Sequence, residues 1–321
     1  MNRLLLIMAG MTALLLVAAV AAVVASRSRR QLLTPPEAPV VVSPTEVRVK
    51  AVERNSVAAN VATAAFDASR AVAIICGEDS ATADRYEARN KVLRSIARRS
   101  DLPKEDVTAL MAYLQSVQDK LRPERVAALK NDVINLLRCQ EKPAEGLVEA
   151  LIVMFSGGRH PPAVLDYCIQ HLGAMQNDIR DASLRRRVRK TFVNAAARKN
   201  QPYAGTALYS LAENKHASQS QKNELKRLTV ALCKQGSHPV ARVSAIQLAG
   251  ERGYKEVLPF LRNTLSSARC DAVIDIVCMG SLGLLGDESD IDILSRFKSD
   301  RRRAAASEAA ISRIKERSGL K

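Results

Sequence analysis

Residues 240–261 read VARVSAIQLAGERGYKEVLPFL, and how this stretch is read decides the fold. Its apolar residues keep a helical beat on both sides of Gly253. Val240, Val243, Ala245, Ile246 and Ala249 make one face before it, and Val257, Leu258, Phe260 and Leu261 make another after it. The pattern predicts two short helices joined as a hairpin. Ala245 and Gly250 are small enough to let the first helix lie close to a neighbour, and Gly253 can take the backbone angles that end a helix.

The arrangement recurs. In AVIDIVCMGSLGLLGDESDIDIL, residues 272–294, a shift of 33 positions sets Cys278 opposite Ala245, Leu282-Gly283 opposite Ala249-Gly250 and Gly286 opposite Gly253. Upstream, TALYSLAENK offers Ala207 with Leu211-Ala212 and LDYCIQHLGAM offers Cys168 with Leu172-Gly173. NDVINLLRC gives Val133 with Leu137, and NKVLRSIARRSDLP gives Val92 with Ile96-Ala97. With Val92, Val133, Cys168, Ala207, Ala245 and Cys278 as one equivalent position, the intervals are 41, 35, 39, 38 and 33. A second apolar segment follows each window, as in EDVTALMAYL, EGLVEALIVMF and ELKRLTVALC. A two-helix unit of this length cannot bury its own apolar face, so neighbouring units must stack and share one core. The competing reading is an irregular helical bundle with fortuitous spacings; the matching of Gly253 with Gly286 speaks against it.

The segment carrying Arg242, Ala245, Ala249-Gly250, Gly253 and the run VLPFL resembles a HEAT-type repeat of the short bacterial kind, also seen in phycobilisome lyases. Two successive units match over 238–298; the likeness is weaker over 160–237 and weakest before 143. It departs at Asp275, where the repeat usually has Arg, and the terminal RRRAAASEAAISRIKERSG supplies only a first helix, as a cap would. The resemblance implies an all-α fold, an α-solenoid of stacked helical hairpins that binds proteins or other large partners.

Composition agrees with helix throughout. The chain has 321 residues, 47% of them hydrophobic but only 3% aromatic and none of them Trp, so its core must be built from Ala, Val, Leu and Ile. Residues 4–25, LLLIMAGMTALLLVAAVAAVVA, carry no charge. At 1.5 Å per residue they span about 33 Å, the thickness of a bilayer's hydrocarbon core. They are read as a membrane anchor or an export signal, and their length favours a retained anchor. SRSRR at 26–30 would hold the body in the cytoplasm by the positive-inside rule. The Pro-rich tether that follows is what accompanies exported domains, and the expectation leans to the extracytoplasmic side of the cell envelope. The expected organisation is an anchor or signal with its basic flank at 1–30, a Pro-rich linker at 31–54 and a helical-repeat body at 55–321, clearest over 160–321.

The chemistry on offer is sparse. His160, His171, His216 and His238 include no pair at metal-binding spacing, and GxSxG, GxGxxG and the Walker phosphate loop are absent. His171, beside Leu172, is expected to be half-buried. MFSGGRHPP at 154–162 lacks the GK[ST] of a phosphate cradle and reads as a connection between units. Of the six cysteines, Cys76, Cys139, Cys168, Cys233, Cys270 and Cys278, the two at 168 and 278 occupy the repeat position that Ala holds at 207 and 245 and read as small core residues. In an exported body, Cys139 with Cys168 or Cys233 with Cys270 could bridge neighbouring units.

The formal net charge is +16, attractive to anionic partners of any class. Its densest run is SLRRRVRK at 183–190, where Arg185, Arg186, Arg187, Arg189 and Lys190 fall within two helical turns and form a candidate contact for an anionic partner; SDRRR adds Arg301, Arg302 and Arg303. Without interleaved aromatics such a strip has no platform for stacking bases. The expectation is a non-enzymatic, membrane-tethered scaffold that binds a protein partner and needs no cofactor or metal. The alternative is a nucleic-acid-binding solenoid that uses the same basic strip.

Overall fold

The computed structural model describes residues 68–142, 144–234, 236–267 and 271–319. The apolar run 4–25 and the linker 31–54 lie outside the described residues, and no helix among those described is long and apolar enough to cross a membrane. Among the described residues there are fourteen α-helices and no strand: α1 Ala68–Cys76, α2 Tyr86–Ile96, α3 Lys104–Gln115, α4 Pro123–Arg138, α5 Leu147–Gly157, α6 Pro162–Met175, α7 Ala182–Ala197, α8 Tyr203–Ala212, α9 Gln219–Cys233, α10 Pro239–Glu251, α11 Leu258–Ser266, α12 Ala272–Leu285, α13 Ile291–Ser295 and α14 Ala304–Ser318.

Local sequence starts these helices in ordinary ways. Pro123, Pro162 and Pro239 occupy first positions, where the missing N–H is not needed. Asp181 caps α7, Asp271 caps α12, and Ser218 with Gln221 closes a reciprocal capping box on α9. α10 ends in a Schellman motif: the Tyr254 amide donates to Ala249 O at 2.9 Å and the Gly253 amide to Gly250 O at 3.3 Å, with Gly253 at φ +72°.

Among the described residues, all substantial helix packing lies between helices no more than two apart along the chain. The even-numbered helices, α2 to α14, form row A, each packed on the next, and the odd-numbered helices, α1 to α13, form row B. A bundle around one centre would bring distant helices together; this chain is a ladder of hairpins. The predicted equivalent position confirms the register, since Val133, Cys168, Ala207, Ala245 and Cys278 are all fully buried in row A, while Val92 is half-buried.

Small residues set the row A spacing. A Cβ added to Gly173 would sit 2.5 Å from Ser210 Oγ, one on Gly205 2.7 Å from Ser244, one on Gly250 2.8 Å from Ser281 Oγ and one on Gly283 2.9 Å from Ala310 Cα. Four successive interfaces thus use the same device. The helix ends are stitched as well. The last carbonyls of a helix have no partner within it, and here a side chain from the adjacent A-helix end supplies one. Gln176 Nε2 donates to Ser210 O at 2.7 Å, Arg252 Nη2 to Ala212 O at 2.9 Å and Arg317 Nη1 to Leu284 O at 2.8 Å, and in the turn just past α2 Gln140 Nε2 donates to Arg99 O at 2.9 Å.

Three details of the sequence reading change. Val240 is 54% exposed and Ala241 is buried in its place, so the α10 face is rotated towards its smallest residues, as close row packing demands. Gly286 has φ −73°, not the left-handed angle of Gly253; an added Cβ would lie 2.4 Å from Asp290 Oδ2 and 2.7 Å from Leu282 O, so this glycine is required by space. Asp275, in place of the repeat's Arg, is buried and receives Arg303 Nε at 2.8 Å, so the basic run 301–303 is partly spent on holding α12.

The early units are held differently. Arg89 of α2 is 1% exposed and donates to Ile75 O, Ala83 O and the Asp119 carboxylate, with Nη1 to Oδ1 at 2.8 Å. Tyr113 Oη donates to Asp119 Oδ2 at 2.9 Å, and buried Lys130 donates to Leu114 O at 2.8 Å and to Ser116 O. This network ties the α3–α4 turn to α1 and α2.

Candidate functional site

On α7, Val188, Thr191, Phe192, Ala195 and Ala196 face the core, which turns the basic run outward. The five predicted cations do not all line one cleft. Arg185, Arg186 and Arg189 line a cleft beside the 213–217 turn, whereas Arg187 and Lys190 are exposed outside it. Arg185 Nη1 donates to Ile179 O at 2.8 Å and Arg180 O at 2.7 Å, which fixes its guanidinium while leaving its charge uncompensated by a carboxylate. Arg189 is paired with Glu224 of α9.

The cleft continues over the same turn into a larger one of about 590 Å³, which also has Arg189, Asn214 and Gln221 in its walls. Its further cations are Lys215 on the turn, Lys222 and Lys226 on α9, and Arg252 at the end of α10; Glu213 is the one acidic residue lining it. Lys226 is paired with Glu256. Asn214, Gln219 and Asn223 add amide groups, and Tyr254 is its one aromatic residue. The floor is well braced: the Asn177 amide donates to Glu213 O at 3.3 Å and accepts from the Lys215 amide at 3.1 Å, and Arg252 holds Ala212 O. Such a site offers fixed positive charge and hydrogen-bond donors to an anionic, extended ligand.

Lys215, Lys222 and Arg252 escape a sequence scan for charge runs because they are isolated in the chain. The signal that finds them is the repeat itself, since they stand at or just after the A-to-B turns of successive units. Arg301–Arg303, in the turn from row B to row A before α14, do not join the cleft.

The remaining chemistry is structural. No group of three or more His, Cys, Asp or Glu among the described residues could hold a metal ion. His171 is buried, not half-buried: Arg138 Nη1 donates to its Nδ1 at 3.0 Å, so Nε2 carries the proton and donates to Asn131 Oδ1 at 3.1 Å. Burial, followed by the Arg138 charge, pulls its pKa down to about 4. His160 is likewise lowered to about 4, by burial and then Lys130. Cys76, Cys139, Cys168 and Cys233 are free thiols, and the predicted bridge of Cys139 to Cys168 is not formed, since Cys139 is exposed while Cys168 is packed in row A; the other predicted bridge, Cys233 to Cys270, involves a residue outside the described ones. Burial pushes the Cys168 and Cys233 thiols up to about 12, away from thiolate chemistry.

No family model matches the chain, and no curated protein matches it. Among solved structures it is similar to that of human deoxyhypusine hydroxylase in complex with glycerol, at 13% identity and a TM-score of 0.32, over 78% of this chain and 96% of that one. The expectation of a non-enzymatic chain is corrected on this finding, because the similar structure is that of an enzyme. The likeness is too low to carry a reaction over to this chain.

Proposed function

We propose that this chain is a membrane-tethered helical-repeat scaffold that engages a protein partner at the cell envelope, with its repeat body on the extracytoplasmic side. The observation that carries the proposal is the neighbour-only packing of the ladder, which lines up the turns and cations of successive units along one edge. The uncharged run 4–25 and the prolines at 35, 36, 39 and 44 support the tether, and the likeness of 238–298 to short HEAT-type repeats supports a binding role. Arg185, Arg186, Arg187, Arg189 and Lys190 supply the electrostatic contact, with the first two and Arg189 directed to the cleft.

The test is crosslinking of the full chain in its own membrane, followed by identification of the attached proteins, together with a reporter fused after Lys321 and read on each side of the membrane. A defined protein recovered above an unrelated anchored control, with the reporter active outside the cytoplasm, supports the proposal. Recovery of nothing above that control overturns the scaffold, and a cytoplasmic reporter overturns the orientation.

A further inference from the structure

The cleft over the 213–217 turn crosses three rungs of the ladder, and each rung brings cations to it: Arg185 and Arg186 from α7, Lys215 and Lys222 from the α8–α9 rung, and Arg252 from α10. None of these five makes an ion pair with a carboxylate among the described residues, while Arg189 and Lys226 in the same walls are already paired with Glu224 and Glu256. Two of the wall cations are therefore already neutralised by carboxylates outside the cleft lining, and five carry their charge without such a partner. Packed helices of neighbouring units lie about 8–10 Å apart, and an extended peptide in the polyproline-II conformation advances about 3.1 Å per residue with three residues per turn. Carboxylates three residues apart thus share one face of the peptide and meet successive rungs. Asn214 and Asn223 can exchange hydrogen bonds with a peptide backbone, whereas Tyr254 alone is a poor stacking platform for bases.

We infer that this cleft takes an acidic, extended segment of a protein partner, laid across the ladder from α7 to the end of α10. The inference rests on the scaffold reading and names the partner chemistry of its site. Arg185 and Arg252 are anchored through backbone carbonyls, and the turn is braced by Asn177, so the cations are held in place before a ligand arrives.

The test uses the full chain in a neutral detergent and a fluorescent peptide of about twelve residues with Glu at every third position, its Gln counterpart serving as control. Fluorescence anisotropy should show binding of the Glu peptide that weakens as salt rises from about 50 to about 200 mM. K215E/K222E should weaken it at least about tenfold, while K199E/K234E, which removes the same charge from exposed lysines at the ends of α7 and α9 away from the cleft, should change it less than about twofold. Equal binding of the Gln peptide, equal weakening by both double variants, or tighter binding of a single-stranded oligothymidine overturns the inference. Helical circular dichroism of each variant, with the Glu peptide retained by K199E/K234E, separates lost binding from lost folding. Crosslinked partner recovered undiminished by K215E/K222E overturns the cleft assignment and leaves the scaffold standing.

Discussion

Glycines that look alike in the sequence do three different jobs. Gly253 supplies a left-handed angle in open space, so Gly253→Ala should lower stability by about 1 kcal/mol through backbone strain alone. Gly283 has ordinary helical geometry but faces the Ala310 backbone at 2.9 Å, where α14 cannot yield locally. Gly283→Ala should therefore cost more, about 2 kcal/mol, and the order of the two variants in urea denaturation followed by circular dichroism checks the distinction. The spacing of Gly253 and Gly286 pointed correctly to a repeated unit, yet Gly286 is crowded by Asp290 and Leu282 O instead of left-handed. What the sequence concealed most fully is the buried ion pair, because an arginine such as Arg89 reads as surface until its partners are known. Asp119→Ala strands that guanidinium in a site 1% exposed and should destabilise by about 3–5 kcal/mol, against about 1 kcal/mol for Tyr113→Phe, which removes a single neutral donor.

Between elements, polar groups do the joining that the apolar pattern predicts but does not specify. α4 and α6 meet through Arg138, His171 and Asn131, an arrangement that needs a neutral imidazole. Its pKa is lowered to about 4 in the fold, against about 6.5 in the unfolded chain. Between those values the unfolded state binds a proton that the folded state refuses, so acidification favours unfolding; above about pH 7 the group has no effect. His160 acts in the same direction. Stability should fall by about 1–3 kcal/mol between pH 6.5 and pH 5, before most carboxylates titrate, and His171→Gln should make that slope roughly half as steep. A flat stability profile over that interval would contradict the buried neutral state. The candidate site was legible to a similar, partial degree. SLRRRVRK located three of its cations, Arg185, Arg186 and Arg189, but Lys215, Lys222 and Arg252 are separated by up to 37 positions and meet only because the turns of neighbouring hairpins are stacked.

At the scale of the molecule, the likeness between units is strongest where row A packs through small residues, and this is why 238–298 reveals the repeat and the region before 143 barely does. There, Arg89, Asp119 and Lys130 replace the paired glycine and serine contacts, so the same architecture is reached with side chains that share no pattern. Neighbour-only packing also fixes how damage must spread. In a single-centred core, one overpacked residue weakens every helix together; in a ladder, each unit depends on its own stability and on the interfaces on either side. Gly283→Val wedges a branched side chain between α12 and α14 and should weaken that interface by about 3 kcal/mol. Native-state hydrogen exchange should then accelerate by about two orders of magnitude in α12–α14 and less in α10, while amides of α2 and α4 keep their rates. The α2–α4 interface buries none of the residues touched by the change, so its opening has no physical link to the substituted position except complete unfolding of the chain. Uniform acceleration from α2 to α14 would mean that the rungs open together, and neighbour-only coupling would no longer describe this protein.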